Sequence, residues 1–361
     1  MVKEKINFNR GVPPAESFPS KKIVQCLEKA IQRDGDSILQ YGSSAGYPPL
    51  IEWVAEKYGV DTNQVVMGQG SLQLLDILVK TSFGNQNPIF VEQPTYDRTL
   101  TIFRRAGVKV KGFRLESGRM DFEEIEAEIH KNGSPKFFYI IPDFQNPNGS
   151  VMPLEDRERM VRMAEEYSFT IIEDGPYREL RYGGEALPSI HQLAPKCTIH
   201  MSSLSKLISP GMRIGYMVAS AETSQKIRQY AEDTYISPNL LSHAAAYEFI
   251  RNGWLDEHLT LLLNLYRKRR DALQSSLAGR LSEFADWTET QGGFFIGVFL
   301  KGESDLPNNA DYKKAGLLMS RGTAFFLEGG ENFIRLPFCA LDENQISEGI
   351  IRLRKVLDNG V

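Results

Sequence analysis

The stretch Ser203–Gly215 reads Ser-Leu-Ser-Lys-Leu-Ile-Ser-Pro-Gly-Met-Arg-Ile-Gly and has an apolar run on either side. Pro210 and Gly211 disfavour a continuous helix between Lys206 and Arg213, since an interior proline costs roughly 3 kcal/mol. We therefore expect an ordered loop between two buried strands, with an amine, two hydroxyls and a guanidinium close together. Such a loop fits either a Schiff-base lysine beside an anion-binding cradle or a solvated basic turn.

The length and charge of the chain limit the number of its domains and the kinds of partner that it can bind. With 361 residues the chain can form about two domains around a cleft. Its 42 Lys and Arg against 46 Asp and Glu give a formal net charge of −4, without the basic excess expected of a nucleic-acid-binding protein. No apolar run is long enough to span a bilayer, and the polar N-terminus is unlike a secretion signal. We therefore expect neither nucleic-acid nor membrane partners.

The cysteines and histidines are scattered. Cys26, Cys197 and Cys339 form no close pair in sequence. Few cysteines without paired spacing are typical of a reducing compartment. The five histidines show no metal-ligand spacing either. The sequence therefore predicts a cytoplasmic protein with neither structural zinc nor another metal site.

Short β-rich runs alternate with helical patterns over most of the chain. This order predicts an α/β fold whose large domain has a mostly parallel, seven-stranded sheet covered by helices. The predicted strands are Gln64–Met67, Pro88–Glu92, Val108–Phe113, Lys136–Ile141, Phe169–Glu173, Cys197–Met201 and Ile214–Ala219, and the helical patterns between them include Leu72–Lys80, Phe122–Lys131 and Leu154–Tyr167.

The two ends of the chain predict a smaller α+β domain. An amphipathic pattern follows Ser20, which could cap a helix there. The C-terminal part has predicted strands at Gly293–Leu300 and Asn332–Leu336, and predicted helices near Tyr312–Ser320 and at Glu343–Leu357. We expect residues 1–40 to form an N-terminal arm and helix of this small domain, residues 41–270 the large domain and residues 271–361 the rest of the small domain.

Polar residues follow several predicted strands. The carboxyl ends of parallel strands share one crevice, so these residues can converge although they are distant in sequence. Asp174 and Tyr177 follow one strand, Asn146 follows another, and Lys206 lies in the loop after a third. Gly70-Ser71-Leu72 follows a further strand and starts a helix, where free backbone N–H groups suit a phosphate.

These are the groups that pyridoxal phosphate requires. Its aldehyde needs a lysine, its phosphate needs N–H donors and a cation, and its ring nitrogen stays protonated beside a buried anion such as Asp174. Each residue also has a structural explanation. Asp174 could cap a turn, Asn146 could belong to a simple turn, and Tyr177 could only pack. The structural explanation requires several coincidences at once.

With these residues in order, the chain resembles the fold-type I pyridoxal-phosphate enzymes, specifically the class I/II aminotransferases of the 2-aminoadipate and kynurenine aminotransferase subgroup. The most specific motif is Ser203-x-Ser205-Lys206, followed seven residues later by Arg213. The resemblance covers nearly the whole chain, from Asn9 to Phe338. It implies a ping-pong transfer of an α-amino group from an amino acid to a 2-oxo acid, with 2-oxoglutarate as the usual acceptor.

The resemblance also implies the roles of single residues. Lys206 would bind the coenzyme covalently and shift the proton, Asp174 would pair with the ring nitrogen, and Tyr177 would bind the phenolate oxygen together with Asn146. Tyr96 would stack on the ring. The phosphate would be bound by Gly70, Ser71, Leu72, Ser203, Ser205 and Arg213, with Tyr41 of the neighbouring subunit, which implies a homodimer with shared active sites.

The substrate residues follow from the same resemblance. Arg335 would grip the α-carboxylate with its planar guanidinium, with help from Asn146. Gly11 would lie on the N-terminal segment that closes over the substrate. Arg10 and residues 11–18 are candidate contacts for the donor side chain, for which the subgroup suggests aromatic, branched-chain or 2-aminoadipate-like amino acids.

Three positions depart from the family pattern. Leu72 replaces a polar residue, so only its backbone N–H could serve the phosphate. Gly175 replaces a frequent second acid after Asp174, and Asn148 replaces the usual threonine. None of these changes removes a primary catalytic group, but they leave the choice of substrate side chain open.

Three alternatives remain at this point. A nicotinamide-dependent oxidoreductase would use Gly68-Gln69-Gly70, but Gln73 stands at the position of the third glycine. A non-catalytic pyridoxal-phosphate sensor, as in some bacterial regulators, should carry an added N-terminal winged-helix region, whereas here the aminotransferase-like arm begins almost at Met1. Other reactions on the same fold, namely β-elimination by a C–S lyase, decarboxylation or racemisation, use the same coenzyme.

Overall fold

A computed structural model describes residues 5–82, 87–302 and 307–358. In these residues the strands are β1 (Ile6–Phe8), β2 (Val65–Gly68), β3 (Ile89–Gln93), β4 (Val110–Glu116), β5 (Arg119–Met120), β6 (Phe137–Ile140), β7 (Thr170–Asp174), β8 (Thr198–Ser203), β9 (Gly215–Val218), β10 (Ala285–Trp287), β11 (Phe295–Leu300), β12 (Leu317–Met319) and β13 (Phe333–Pro337). The helices are α1 (Ser20–Ile38), α2 (Pro48–Tyr58), α3 (Ser71–Ser82), α4 (Asp97–Arg105), α5 (Phe122–Asn132), α6 (Leu154–Glu166), α7 (Ile190–Leu193), α8 (Ala221–Tyr235), α9 (Leu240–Arg251), α10 (Trp254–Arg280), α11 (Asn309–Lys314) and α12 (Glu343–Asp358).

The large sheet has the strand order β2-β9-β8-β7-β6-β3-β4-β5. The pairs from β8 through β7, β6 and β3 to β4 are all parallel, and β9 runs antiparallel to both of its neighbours. All seven predicted strands are present, and the mostly parallel α/β sheet is confirmed. The eighth strand, β5, has only two residues and forms a hairpin with β4 at the sheet edge.

Helices cover both faces of this sheet because its central strands are buried on both sides. Along β6, Phe137 and Tyr139 pack into one apolar layer with α3 and α4, whereas Phe138 and Ile140 pack into the other with α5 and α6. This alternation is the period-two pattern of a strand. A nearly continuous apolar run is therefore the signature of a strand covered on both faces.

The remaining strands form two smaller sheets. The strands β10, β11 and β13 are antiparallel, and β1 pairs in parallel with β12. The helix predicted near Tyr312–Ser320 is wrong in its second half, because α11 ends at Lys314 and the chain continues as β12. Gly316 adopts a φ of +79° at this change of direction, a conformation that disfavours most other residues.

The helix cap predicted at Ser20 is also wrong. Ser20 is the first helical residue of α1, Pro19 precedes it, and no side chain caps the helix. The backbone N–H of Ser20 instead donates to the carbonyl of Phe18 at 2.8 Å. The backbone N–H of the first helical residue is thus bonded to a backbone carbonyl of the preceding segment rather than to a side-chain cap.

We propose the division into residues 1–40, 41–270 and 271–361, of which residues 1–4, 83–86, 303–306 and 359–361 lie outside the described part. The pairing of β1 with β12 supports grouping the N-terminal arm with the C-terminal region. The second boundary falls within α10, so this helix would connect the two domains. None of the described helices is both long and apolar enough to cross a membrane.

The loop between β6 and α6 is held by a fully buried arginine on α6. Arg157 pairs with Asp143 at 2.9 Å. Its guanidinium also donates to the backbone carbonyls of Met152 at 2.9 Å, Pro142 at 3.0 Å and Pro188 at 2.8 Å. A buried charge is tolerated only when it is paired and hydrogen-bonded, as it is here. These bonds fix the loop that contains Asn146.

We predict that Arg157→Met lowers the free energy of unfolding by about 1–3 kcal/mol, because it removes the Arg157 donor from three carbonyls, whereas buried Asp143 keeps its ion pairs with Arg178 and Arg181. Denaturant unfolding followed by circular dichroism measures the change. The control is Arg162→Met, an exposed arginine on the same helix, for which we expect a change within about 0.5 kcal/mol. Equal effects of the two substitutions would contradict a special role for the buried cluster.

Candidate active site

Two adjoining cavities lie where strands β6, β7 and β8 end. Their volumes are 120 and 660 Å³, and the residues that line both are Tyr96, Asn146, Tyr177, Lys206 and Arg213. The larger cavity is lined by the three predicted substrate residues, Gly11, Asn146 and Arg335. The smaller one is lined by the predicted coenzyme residues other than Tyr41, which are Gly70, Ser71, Leu72, Tyr96, Asn146, Asp174, Tyr177, Ser203, Ser205, Lys206 and Arg213.

One end of the smaller cavity is formed by the start of α3. Gly70 has a φ of +92°, and Ser71 is the first residue of the helix, so the N–H groups of its first turn lie at this end. The guanidinium of Arg213 donates to the carbonyl of Gln69 at 2.9 Å. A Cβ on Gly70 would lie 2.5 Å from that guanidinium, and one on Gly215 would lie 2.3 Å from Ser71 N. Glycine is therefore required at both positions for this close approach.

The two serines of the loop hold it in place. Ser203 Oγ lies 2.8 Å from both the carbonyl oxygen of Ile214 and Ser205 Oγ. It also accepts the backbone N–H of Ser205 at 3.1 Å. These contacts tie the loop after β8 to the start of β9, a structural role that the sequence did not predict.

Lys206 ends a short 3-10 turn over residues 204–206 in this loop. Its side chain is partly buried and lines both cavities, with Nζ 5.7 Å from the centre of the Phe294 ring. Burial lowers the pKa of Lys206, and the positive charges of Arg213 and Arg335 lower it further. Among the described residues no hydrogen bond or ion pair engages this amine. Lys206 thus presents an unengaged amine with a lowered pKa to both cavities.

Asp174 is the last residue of β7 and is buried. Its Oδ2 accepts a hydrogen bond from the hydroxyl of Tyr139 at 2.7 Å, while Oδ1 is buried and has no partner in the described part of the chain. Burial raises the pKa of Asp174 to about 6, although the Tyr139 hydroxyl opposes this rise. An unpaired buried acceptor costs about 1–3 kcal/mol, so Oδ1 is suited to an N–H donor from a ligand.

The aromatic residues of the site are also largely buried. The ring of Tyr177 packs against Phe294 and Phe295 at centroid distances of 5.4 and 5.7 Å. Burial raises the pKa of Tyr177 well above its usual value and that of Tyr96 to about 12. Both phenols are therefore neutral near pH 7 and can act as hydrogen-bond donors.

Arg335 joins three segments of the chain at the boundary of the larger cavity. Its Nη1 donates to Asn146 Oδ1 at 3.0 Å, and its Nη2 donates to the backbone oxygen of Asn9 at 2.9 Å and to Ser320 Oγ at 3.2 Å. Its guanidinium lies between the rings of Phe295 and Phe325, 4.8 and 4.5 Å from their centres. Its Nε is buried without a partner among the described residues. This guanidinium is thus oriented but retains a free donor.

Comparison with known proteins agrees with this geometry. The family described as "Aminotransferase class I and II" matches residues 3–353. The chain belongs to this aminotransferase family. A 2-aminoadipate transaminase from Thermus thermophilus is 31% identical over 98% of this chain and 90% of its own length. An aromatic-amino-acid aminotransferase from Thermococcus litoralis is 31% identical over 98% of this chain and 88% of its own length.

A solved structure shows the same fold. The crystal structure of the α-aminoadipate aminotransferase LysN from Thermus thermophilus, complexed with N-(5'-phosphopyridoxyl)-L-leucine, has a TM-score of 0.92 and 31% identity. The match covers 99% of this chain and 93% of that one. The fold-type I architecture is therefore confirmed, and the family decides against the nicotinamide-dependent alternative.

Tyr41 lies outside both cavities of this aminotransferase. Its side chain is exposed to 75%, and that of neighbouring Leu39 to 65%. Ile236 is exposed to 44% and belongs to the segment that contacts Gly42 through Ser237. Exposed apolar side chains grouped in this way are typical of an interaction surface.

Several residues of the site were not predicted from the sequence. Tyr139 lies in a run that reads only as an apolar strand, and Asn9 contributes a backbone oxygen that any residue could supply. Ser320 lies in a segment that was predicted as helix. The alternation of faces along β6 could have placed Tyr139 beside Asp174, because β6 and β7 pair in parallel.

We predict that Tyr139→Phe raises the pKa of Asp174, because the lost hydroxyl stabilises the charged carboxylate. Infrared difference spectra of coenzyme-free protein with ¹³C-labelled aspartate, titrated with acid, report the protonated carboxyl directly. The titrating band is assigned by its absence in Asp174→Asn. Its midpoint should lie near pH 6 in the wild type and higher in Tyr139→Phe. An unchanged midpoint would show that the hydrogen bond does not stabilise the carboxylate.

Proposed function

We infer that this aminotransferase uses pyridoxal phosphate to transfer an α-amino group from an amino acid to a 2-oxo acid, with 2-oxoglutarate as the acceptor. The observation that carries the inference is the amine of Lys206, which lies at the junction of the two cavities without a partner among the described residues. The family match supports the reaction. The phosphopyridoxyl-leucine complex of the Thermus enzyme supports the coenzyme.

Pyridoxal phosphate fits the donor set of the smaller cavity. Asp174 Oδ1 would accept the ring N–H, which supplies the missing partner of this oxygen. The start of α3 and Arg213 would hold the phosphate, since helix N-termini favour anions. Tyr177 and Asn146 would bind the phenolic oxygen and Tyr96 would lie on the ring. We assign five further residues of the smaller cavity to the phosphate, namely Gly70, Ser71, Leu72, Ser203 and Ser205.

When bound, the coenzyme supplies a reactive carbonyl and an electron-withdrawing ring. Lys206 would accept the proton from the donor's α-carbon at Nζ and would deliver it to the carbonyl-derived carbon of the coenzyme. A lysine in water has a pKa near 10.4 and would be almost fully protonated at neutral pH. Burial at this site lowers that pKa and increases the fraction of neutral amine that can take the proton.

Arg335 would bind the α-carboxylate. Its unpaired Nε and its Nη2, which now donates to Asn9 and Ser320, lie on the same edge of the guanidinium and can donate in parallel to the two carboxylate oxygens. A carboxylate held in this way is retained rather than released as carbon dioxide, which favours transamination over decarboxylation. Gly11, opposite Phe295 in the same cavity, would help to exclude water from the bound donor.

The names of the relatives suggest which amino acids could serve as the amino donor. One relative is named for 2-aminoadipate and another for aromatic amino acids. We propose that this chain also accepts donors with a long side chain, contacted by Arg10 and by residues between Gly11 and Phe18. The cavity of 660 Å³ provides the volume for such side chains.

We further propose a cytoplasmic homodimer in which Tyr41 reaches the coenzyme phosphate of the partner subunit. The exposed group of Leu39, Tyr41 and Ile236 would be covered by the second copy. The three cysteines are unpaired, which suits a reducing compartment.

We predict that Lys206→Ala abolishes turnover, by at least about 10³-fold, because it removes both the nucleophile and the proton carrier. Stopped-flow absorbance of the coenzyme after mixing with single amino acids measures the donor half-reaction, and Lys196→Ala is the surface control. Near wild-type turnover in Lys206→Ala would sink the assignment. A wild-type protein that binds coenzyme but reacts with no amino acid would be a sensor instead.

Shared active sites predict complementation between two inactive variants. Lys206→Ala and Tyr41→Ala homodimers should each be deficient, whereas a mixed dimer contains one site with both residues intact. Random mixing makes half of the dimers hybrid, so about a quarter of the wild-type activity should return. Activity is measured at limiting coenzyme after co-refolding or co-expression. No gain over the sum of the two variants would argue against Tyr41 acting across the interface.

A further inference from the structure

A buried glutamate holds the loop that carries Asn146. Glu92 lies near the end of β3 and is buried. Its Oε1 accepts the backbone N–H of Ile141 at 3.0 Å and the side-chain amide of Gln145 at 2.8 Å. Both donors belong to the segment that follows β6 and leads to Asn146. The carboxyl group on β3 is thus bonded directly to the loop that presents a proposed coenzyme ligand.

Gln145 transmits this contact to the residues on both sides of Asn146. Its Nε2 also donates to the backbone carbonyl of Pro94 at 2.7 Å. Its Oε1 accepts the backbone N–H of Asn148 at 2.9 Å. Since Gln145 precedes Asn146 and its side chain holds the residue two positions after it, the place of Asn146 depends on the contact between Gln145 and Glu92.

A second buried glutamate of the sheet shows what an ionised carboxylate requires there. Glu173 on β7 pairs with Nδ1 of His200 at 2.9 Å and accepts the backbone N–H groups of Ile190 and His191 at 2.9 and 3.0 Å. Burial alone would raise the pKa of Glu173, but these partners lower it to about 2. The two donors of Glu92 are neutral, and within the described chain no ion pair involves Glu92.

The charge of Asp174 also acts on Glu92. Strand β6 separates β3 from β7, so the strands that carry the two acids are about 10 Å apart. Burial raises the pKa of Glu92 to about 8, and the charge of Asp174 adds to this rise, whereas the donors Gln145 and Ile141 oppose it. Two buried carboxylates without a cation between them are costly, so only one of the two is expected to ionise at neutral pH.

The other neighbours of Glu92 supply no compensating charge. On β4 the residue paired with Glu92 is Phe113. On β6, Tyr139 donates its hydroxyl to Asp174, and burial raises the pKa of Tyr139 well above its usual value. The buried arginine that binds the same loop from α6 is already paired with Asp143.

We propose that Glu92 is a positioning residue of the aminotransferase site, which as a neutral carboxylic acid holds Asn146 through Gln145 and leaves Asp174 as the charged partner of the coenzyme ring. A protonated carboxyl group can do this because its carbonyl oxygen still accepts both N–H groups. The inference rests on the proposed function, in which Asn146 and Asp174 bind pyridoxal phosphate.

Infrared difference spectra of coenzyme-free protein with ¹³C-labelled glutamate test the neutral acid directly. A protonated carboxyl band should be present at about pH 6.5, where glutamates in water are ionised, and should be lost with a midpoint near pH 8. The band should be absent in Glu92→Gln and unchanged in the control Glu52→Gln, an exposed glutamate of α2. If Glu92→Gln removes no such band, the proposal is wrong.

The same titration tests the coupling to Asp174. The midpoint should fall by at least about 0.5 pH unit in Asp174→Asn, which removes the neighbouring charge. It should also fall when pyridoxal phosphate binds, because a protonated ring nitrogen compensates that charge. A midpoint that is the same in Asp174→Asn as in the wild type would overturn the link between the two acids.

Coenzyme affinity tests the positioning of the loop. Absorbance titration of coenzyme-free protein at neutral pH gives the Kd of pyridoxal phosphate. This Kd should rise at least about tenfold in Glu92→Met, which leaves Gln145 and Ile141 without their acceptor. It should stay within about threefold in Glu92→Gln, whose carbonyl oxygen accepts the same donors, and in the surface control Glu52→Met.

Two outcomes of this titration contradict the proposal. Wild-type affinity in Glu92→Met would show that the contact does not position the loop, and equal losses in Glu92→Gln and Glu92→Met would show that the carboxyl acts through its charge. Circular dichroism checks the fold of each variant. Gln145→Met removes the same contact from the other side and replaces Glu92→Met if the latter does not fold.

The two proposals can fail separately. If amino acids react but the infrared band and the Kd do not depend on Glu92, transamination stands and the role of Glu92 is refuted. If no amino acid reacts with the wild-type holoenzyme, transamination is wrong, and the band and the Kd still decide the role of Glu92.

Discussion

A buried carboxylate with one unpaired oxygen is the constraint on which the site depends. The sheet holds Asp174 between the flanking strands β6 and β8, and Tyr139 satisfies only one of its oxygens. The Nε of Arg335 is likewise buried without a partner among the described residues, and the amine of Lys206, which lines both cavities, has no hydrogen bond or ion pair there. Unsatisfied buried polar groups are uncommon in folded proteins, so two of them beside joined cavities are suited to pairing with a polar ligand. The free energy that they cost in the folded chain is recovered when a ligand pairs with them.

The fold keeps these groups apart by placing them on different strands of one rigid sheet. Asp174 ends β7, Lys206 follows β8, and Asn146 lies on the loop that Arg157 fixes after β6. The side chains of Arg213 and Asp174 are thus held too far apart to form an ion pair with each other. The separation matches a ligand with an anionic end and a cationic ring nitrogen, which is the charge pattern of pyridoxal phosphate.

The alternation of β-rich and helical segments was enough to predict the sheet and the residues at its carboxyl edge. Lys206, Asp174 and Arg213 could be found because each is hard to explain at the end of a buried strand. Tyr139 was missed, because the alternation along β6 puts it on the same face of the sheet as Asp174 but an apolar run gives no sign that its hydroxyl has a polar partner. The prediction of a helix as far as Ser320 was wrong because hydrophobic spacing over so few residues does not distinguish a short helix from a short strand.

The N-terminal segment and the C-terminal region are mechanically linked at Arg335, the proposed carboxylate site. The contact between Ser320 and Asn9 joins residues 311 positions apart in sequence, and both residues also hold Arg335. A shift of the N-terminal segment would therefore move the guanidinium of Arg335. The larger cavity thus depends on the register of two short parallel strands, whereas Asp174 and Lys206 are positioned by the large sheet.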